Sequence, residues 1–359
     1  MAREPGAPGR SPAELPGIRV LYKTDWRMVL RLCLLVFWIV LLAQTLLWTR
    51  PDLGNPAQIG TDSSNYYAAG ERLNAGHDLY QLQPGDRAVA NGPDPNPWSY
   101  PLLSPPPIAV LWRFLALLPG DLSMYLWALG GLAASFIMVS LLIVHTRPSF
   151  YWALVLLTPF MAITACSGNV NAWLIPGCAL AWWCSSTGRP VLAGFLIGLA
   201  SVLKLTPALW IWWFVVRRDL RAFVACMATV GAVLIVSVIC AGPNSFMAYV
   251  AVVREAGSVA LPGLSPIVVA TYLGVPSGLA HLVPYLLAGV AAAFAWHWRD
   301  RPSLAYAACA VGVTLGTPDL RMEVIGWLLL ALVPLANSAA PRQGLFEARA
   351  ASSGAKALS

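Results

Sequence analysis

Residues 222–241 read AFVACMATVGAVLIVSVICA, a run of apolar and small residues that contains no charge. A helix needs about 20 such residues to cross a bilayer, so this stretch predicts a transmembrane helix. The rest of the chain has the same character, because 58% of its 359 residues are hydrophobic and 11% are charged. A soluble domain carries about 25% charged residues. We therefore expect an all-α polytopic membrane protein.

On both sides of 222–241, further apolar segments cover most of the chain. Several are shorter than a full crossing, and a full crossing by 106–118 would put Arg147 on the wrong side of the membrane. We expect 106–118 and the 190–216 pair to be partly half-depth elements around a cavity, where interrupted helices are tolerated. The bundle then has about 10–12 transmembrane or half-depth helices. The further apolar segments are 28–48, 106–118, 123–145, 151–166, 169–186, 190–204, 206–216, 266–275, 279–298, 303–317 and 322–338.

Basic residues indicate which ends of these segments face the cytoplasm. Lys23, Arg27 and Arg31 flank the first apolar segment, which places the N-terminus in the cytoplasm. Arginines between later segments predict further cytoplasmic turns, so the net charge of +7 reflects topology and not nucleic-acid binding. The resulting division of the chain is a cytoplasmic tail at 1–25, one transmembrane domain at 26–338 with its first external loop at 49–105, and a second cytoplasmic tail at 339–359.

The external loop at 49–105 carries six of the sixteen acidic residues, and a connection of this length is more often functional than idle. Its stretch IGTDSSNYYAAG, residues 59–70, predicts the start of an amphipathic helix over 63–75 on the outer membrane surface. Tyr66, Leu73 and the small residues between them share one face, and Gly76 is placed to end the helix.

Asp62 directly precedes this predicted helix. We expect it to be the N-cap, with its side chain accepting a hydrogen bond from the amide of Ser64 or Asn65. A carboxylate held still at a membrane interface is also suited to remove a proton from an alcohol. The two roles are compatible, and Asp62 is our candidate catalytic base.

Cations within or beside apolar segments are candidate phosphate ligands. Lys204 is the only lysine between Lys23 and Lys356, and it either binds a lipid phosphate or forms a structural pair or snorkels to an interface. Pro207 should break the helix there. Arg321 suits phosphate binding or an ion pair with a neighbouring acid, and Arg254 is a weaker candidate of the same kind.

Candidate substrate-binding residues lie in four predicted external positions, which are the helix 63–75, the stretch 96–112, the turn 167–171 and the last external turn. The proline-rich stretch at 96–112 either forms a structural entry into the membrane or shapes a lipid or sugar groove. The turn SGNVN, residues 167–171, either binds a sugar or satisfies helix ends. The candidates are Tyr66, Tyr100, Asn169, Asn171 and Asp319.

Other classes of site are not indicated. The seven cysteines show no CxxC or Cys/His spacing, so we expect neither disulfides nor a metal. The chain also has no P-loop, no Gly-rich nucleotide fingerprint, no HExxH and no Ser/His/Asp set. The pattern favours an enzyme that takes an activated group from a lipid phosphate.

Four blocks resemble successive blocks of the GT-C glycosyltransferases. They are GTDSSNYYAAGERLNAGHDLY (60–80), WSYPLLSPPPIAVLW (98–112), SGNVNAWLIPGCALAWW (167–183) and RPVLAGFLIGLASVLKLTPALWIWWFVVRR (189–218). The resemblance runs over about 28–335 and is strongest to family 87, the polyprenyl-phosphate-sugar-dependent mannosyl- and arabinofuranosyltransferases. It implies a GT-C-like bundle in the plasma membrane with its active site on the extracytoplasmic side.

The resemblance also implies an activity. Such enzymes are inverting transferases that move a sugar, here mannose ahead of arabinofuranose, from a polyprenyl-phosphate carrier to a glycolipid or glycan. Asp62 matches the family base, Lys204 the K-x-x-P block and Asn169 the G-N/Q turn. The family often has a histidine near the last external turn, where this chain has Arg321. We expect a monomer in contact with membrane lipid that needs no cofactor; the alternative is a non-catalytic polyprenyl-lipid or sugar carrier, such as a flippase.

Overall fold

The computed structural model of the chain describes residues 61–81, 102–146, 150–258, 265–318 and 322–337, together with residues 28–30, 32–34, 36, 37, 39, 40 and 43. Within these ranges every regular element is a helix. The helices are α1 (Thr61–Asn74), α2 (Pro106–Leu115), α3 (Gly120–His145), α4 (Tyr151–Cys166), α5 (Asn171–Ser186), α6 (Pro190–Leu203), α7 (Leu209–Val216), α8 (Leu220–Ala241), α9 (Pro243–Ser258), α10 (Pro266–Tyr272), α11 (Ser277–Ala280), α12 (Val283–His297), α13 (Pro302–Leu315), α14 (Met322–Ile325) and α15 (Val333–Asn337), with 3₁₀ turns at Thr206–Ala208 and Gly326–Ala331.

The helices confirm an all-α polytopic membrane protein. Among the described residues, three helical stretches are long and apolar enough to cross a bilayer, namely α3, α8 and the stretch Ser277–His297. The outer face of α8 leaves Ile235 and Ile239 63% and 77% exposed, whereas Cys226 on its inner face is fully buried. A continuous exposed apolar surface of this kind suits contact with lipid tails.

Several of the described helices are too short to cross alone, among them α2 and α6. Helix α2 has 10 residues and α6 has 14, which gives lengths of about 15 Å and 21 Å against a hydrocarbon core of about 30 Å. The expectation of half-depth elements at 106–118 and in 190–216 agrees with these lengths. If α2 does not cross, the predicted topology puts the end of α3 on the same side as the other basic turns.

The bundle has two chemically different ends. Helices α5 and α6 are antiparallel neighbours, joined by a tight turn in which the amide of Arg189 donates to the carbonyl of Cys184 at 2.8 Å. Arg189, Arg217 and Arg301 therefore lie at one end, which we call the arginine-rich end. The start of α5 and the end of α6 lie at the opposite end.

Aromatic rings and close helix contacts hold the core together. Tyr306 of α13 lies between Trp182, Trp210 and Trp213, with ring centroids 4.9–5.5 Å apart. Its hydroxyl donates to the carbonyl of Cys178 in α5 at 2.8 Å. The phenol therefore has a partner in a region without water, and α5, α7 and α13 pack around it.

One helix falls between the predicted apolar segments. Helix α9 occupies Pro243–Ser258, after the segment 222–241 and before the segment 266–275. Pro243 begins the helix, as proline often does, and Ala248, Tyr249 and Val252 pack against the core. Their spacing is amphipathic, so a search for long apolar runs misses this helix. The predicted tails at 1–25 and 339–359 lie outside the described residues, and the domain boundaries stay predictions.

Candidate functional site

Helix α1 occupies the expected part of the external loop, with one difference at its start. The helix begins at Thr61, so Asp62 lies inside its first turn and is not the N-cap. A carboxylate in the first turn is still favourable, because it faces the positive end of the helix dipole. The helix ends as predicted: Gly76 has φ of 74°, and the amide of His77 donates back to the carbonyl of Arg72 at 2.9 Å.

The face of α1 predicted to be apolar is buried against α2. A Cβ at Gly70 would lie 2.6 Å from the carbonyl oxygen of Trp112, so only glycine permits this close approach. At the far end of α1, Asn74 and Arg113 bond reciprocally at 3.0 Å. These contacts fix α1 on α2 along its length and hold its first turn in place.

The turn that joins α4 to α5 contacts the first turn of α1. The amide of Asp62 donates to the carbonyl of Ser167 at 3.1 Å. Gly168 has φ of 69°, and a Cβ there would lie 2.3 Å from the Oγ of Ser63. The indole of Trp127 donates to the carbonyl of Gly168 at 2.9 Å. Glycine is therefore required at 168 both by the backbone conformation and by the contact with α1.

The side chain of Asn169 joins the α4–α5 turn to the first turn of α1. Its Nδ2 donates to the Oδ2 of Asp62 at 2.7 Å, across 107 positions of sequence. Its Oδ1 accepts from the backbone amide of Asn171 at 2.9 Å. A backbone amide can only donate, so the oxygen of Asn169 must face Asn171 and its NH₂ must face the carboxylate. Asn169 is 8% exposed and Asp62 is half-buried.

This geometry gives Asp62 the properties of a positioned base. A short hydrogen bond to an ionised oxygen favours the charged form and fixes the plane of the carboxylate. The backbone of Asp62 is fixed as well, because its amide is bonded to the α4–α5 turn. The carboxylate of Asp62 is therefore held in one orientation while it stays half-buried.

Lys204 lies at the end of α6, as predicted from Pro207. It ends the helix in an extended conformation, with φ of −149° and ψ of 132°, and Pro207 follows in the 3₁₀ turn. Lys204 is half-buried. Since α5 and α6 are antiparallel, Lys204 and the α4–α5 turn lie at the same end of the bundle.

The remaining candidates are distributed as follows. Tyr66 is 4% exposed and its ring lies 5.9 Å from that of Trp112, so it packs between α1 and α2, and its contact with a substrate stays a prediction. Asn171 is fully buried at the start of α5. Arg254 is exposed on α9. Tyr100, Asp319 and Arg321 lie outside the described residues, although Pro318 is anchored by a hydrogen bond from the hydroxyl of Ser265 to its carbonyl.

Sequence reasoning did not single out Arg72. It is 2% exposed and donates to the carbonyls of Ala68 and Leu79 at 3.3 and 2.9 Å. It thus ties the end of α1 to the chain that follows it. The helical pattern gave no signal for this residue, because Arg72 lies about 100° from Leu73 around the helix and therefore beside the predicted apolar face.

The residues of the same block that follow α1 also have structural partners. The hydroxyl of Tyr80 donates to the carbonyl of Ser104 at 2.8 Å, and burial raises the pKa of this hydroxyl above its usual value. The ring of Tyr80 lies 6.0 Å from that of Tyr249 in α9. The second half of the GTDSSNYYAAGERLNAGHDLY block therefore serves to fasten α1.

Comparison with known proteins gives one match. The family described as glycosyltransferase family 87 matches residues 103–318, more than half of the chain. The match includes Asn169 and Lys204 and begins after Asp62, so α1 lies outside it. No curated protein and no solved structure matches the chain significantly. Because this match covers more than half of the chain, the chain belongs to glycosyltransferase family 87.

Proposed function

We propose that this membrane glycosyltransferase transfers a sugar from a polyprenyl-phosphate carrier to a hydroxyl of a glycolipid or glycan. The site faces the extracytoplasmic side of the plasma membrane, the sugar is mannose ahead of arabinofuranose, and the enzyme acts as a monomer with Asp62 as the base. The observation that carries the proposal is the hydrogen bond of 2.7 Å between Asn169 and Asp62. This hydrogen bond joins Asn169, which lies in the family-matched region, to the carboxylate of Asp62, which lies before that region.

The reaction is a single displacement at the anomeric carbon. Asp62 takes the proton of the acceptor hydroxyl while that oxygen forms the new bond to the anomeric carbon. The bond between this carbon and the phosphate oxygen breaks, and polyprenyl phosphate leaves with the electron pair. Attack opposite to the leaving group inverts the configuration at this carbon.

One carboxylate is sufficient for this chemistry. Phosphate is a good leaving group, so the enzyme needs no general acid, in contrast to hydrolytic glycosidases that use two carboxylates. Negative charge grows on the departing phosphate, and a cation beside it stabilises the transition state. We assign this role to Lys204 and Arg321, with Arg254 as a further contact. The scheme uses no metal.

The test compares Asp62→Asn with the unchanged protein. Purified protein is incubated with polyprenyl-phospho-mannose or polyprenyl-phospho-arabinofuranose and membrane extract, and the products are read by mass spectrometry. Removing a general base lowers the rate by about 10²–10⁴-fold, while binding of the donor lipid and the thermal unfolding midpoint should stay unchanged. Transfer by a folded Asp62→Asn variant at the unchanged rate would refute the base.

Lys204→Met provides the second arm. Loss of a cation beside the phosphate should weaken donor binding and slow transfer, whereas Arg218→Met removes an exposed cation at the arginine-rich end and should change neither. Unchanged donor affinity in Lys204→Met would rule out the phosphate contact. If the unchanged protein binds donor lipid but transfers no sugar from either donor, it is a carrier and not a transferase.

A further inference from the structure

A groove lies at the arginine-rich end, on the outer surface of the α6–α8 pair. It has a volume of about 580 Å³, and its lining includes Arg189, Arg221, Val191, Leu192 and Phe195. The lining is therefore partly cationic and partly apolar. It is separated from the candidate active site by the length of α6, because the groove lies at the start of this helix and Lys204 at its end.

The packing of α6 on α8 explains why the two arginines share this groove. A Cβ at Gly194 would lie 2.1 Å from the carbonyl oxygen of Ala222, so the two helices touch near their first turns. Arg189 directly precedes α6 and Arg221 is the second residue of α8. The close contact of the backbones thus brings both guanidinium groups to one groove.

The charged neighbours of the groove have identified partners. The carboxylate of Asp219 accepts from the amide of Ala222 at 3.2 Å and caps α8. Arg217 donates to the Oγ of Ser185 at 2.7 Å and lies over the ring of Trp213. Arg189 lies 5.7 Å from the centre of the exposed ring of Trp183, a contact that leaves the edge of a guanidinium available for hydrogen bonds.

The apolar wall continues onto the lipid-facing surface. Val191 is 61% exposed and Phe195 is 46% exposed, and both project from the first two turns of α6. A molecule that places an anion between the arginines can lay a hydrocarbon chain along these residues. Free phosphate would use only the cationic side, and a neutral lipid only the apolar side.

We propose that this groove binds an anionic phospholipid. Its phosphate lies between Arg189 and Arg221, and one acyl chain lies along Val191, Leu192 and Phe195. A guanidinium pairs with phosphate oxygens through two parallel hydrogen bonds, and arginines near a membrane surface favour anionic headgroups. A lipid seated there would clamp the start of α6 to the start of α8.

The test measures lipid binding to the full-length protein after delipidation. Native mass spectrometry counts dioleoyl phosphatidylglycerol or dioleoyl phosphatidylcholine retained per molecule across a lipid titration. We expect phosphatidylglycerol to bind at least tenfold more tightly, and Arg189→Gln/Arg221→Gln to lose at least that factor. The matched control is Arg218→Gln/Arg299→Gln, which removes the same charge from residues outside the groove and should stay within twofold of the unchanged protein.

One further variant and one competition experiment test the proposal independently of the double arginine variant. Phe195→Ala retains both arginines and should also weaken phosphatidylglycerol binding, which gives a second test if the double arginine variant fails to fold. Glycerol phosphate should not displace the lipid at equal concentration, because it lacks the acyl chain. Equal loss in the control variant, equal binding of the two lipids, or displacement by glycerol phosphate would each overturn the proposal.

Discussion

At the scale of single residues, Asn169 determines how the carboxylate of Asp62 is presented. Its amide oxygen is occupied by a backbone N–H, so its NH₂ has one orientation and holds Oδ2 of Asp62. Amide donors to a carboxylate favour the ionised form that a general base needs. Asn169 is therefore a positioning residue in the proposed mechanism, and its contact with a sugar stays a prediction.

Asn169→Asp tests this role through the pH dependence of the rate. The new carboxylate can still accept from Asn171, but it places a second negative charge against Asp62. Two carboxylates this close share a proton and raise the apparent pKa of the pair. We expect at least a tenfold loss of kcat/KM at pH 7, with the acid limb of the pH–rate profile moved up by about one unit or more.

Asn74→Asp is the matched control for this substitution. It makes the same change at the other end of α1, where Arg113 can pair with the new carboxylate. Its pH–rate profile should overlay that of the unchanged protein. A profile of Asn169→Asp with its acid limb in the original place would remove the electrostatic link between residues 169 and 62.

Gly168→Ala should displace α1 from the α4–α5 turn. The added Cβ meets the side chain of Ser63 at 2.3–2.5 Å in addition to the strain of a positive φ. Gly274 has a φ of 86° with nothing within 4 Å of an added Cβ, so Gly274→Ala carries the backbone strain alone, about 1–2 kcal/mol. We expect Gly168→Ala to lower the unfolding midpoint further than Gly274→Ala and to cut transfer at least tenfold. Similar midpoints and rates in the two variants would contradict this prediction.

At the scale of helices, two glycines of α6 allow its backbone to lie directly against the backbone of α8. Gly194 and Gly198 are four residues apart, and added Cβ atoms would lie 2.1 and 2.7 Å from the carbonyl oxygens of Ala222 and Cys226. This small-xxx-small spacing allows membrane helices to approach through their backbones. The pair also connects the lipid groove to the position of Lys204.

Gly194→Val should separate these two helices. The larger side chain cannot be placed without moving a backbone carbonyl, so we expect a markedly lower unfolding midpoint in detergent. Gly231→Val lies on α8 where an added Cβ has nothing within 4 Å, and it should unfold at nearly the original temperature. The prediction is wrong if the two variants have the same midpoint.

The helices differ in how far the sequence predicts them. Apolar runs locate α3, α5 and α8 to within three residues of their observed ends, since hydropathy is the signal that the membrane imposes. Helix α9 is amphipathic, and none of the apolar segments in the sequence marks it. The cap of α1 was also mispredicted, because a small error in the start of a helix changes which residue is the N-cap. The helix begins at Thr61, so Asp62 lies in its first turn.

The contacts of the site are less predictable than its residues. Asp62 and Asn169 were each identified from local motifs, but their hydrogen bond spans 107 positions and depends on how α1 packs on α2. Gly70 and Trp112 determine that packing, and no local pattern relates them to Asn169. The sequence therefore predicted the participants, while the assignment of Asn169 to position Asp62 required the three-dimensional arrangement.

At the scale of the whole molecule, the short length of α2 bears on the proposed topology. We propose that the N-terminus is cytoplasmic and that one crossing precedes α1, which puts α1 outside, and α2 is too short to return. Helix α3 would then run inward, α4 outward and α5 inward. This proposed order puts Arg189 and Arg217 inside, in agreement with the distribution of basic residues, and it puts Asp62 and the α4–α5 turn outside.

This topology predicts opposite accessibility for two exposed turn residues. In intact cells, His77→Cys, which lies just after α1, should react with a membrane-impermeant maleimide, whereas Arg218→Cys at the arginine-rich end should react only after permeabilisation. The native cysteines are present in both variants, so the unchanged protein sets the background of labelling. An inverted bundle would exchange the two labelling patterns. Labelling of Arg218→Cys in intact cells would move Asp62 to the cytoplasmic side, where it could not serve an extracytoplasmic transferase.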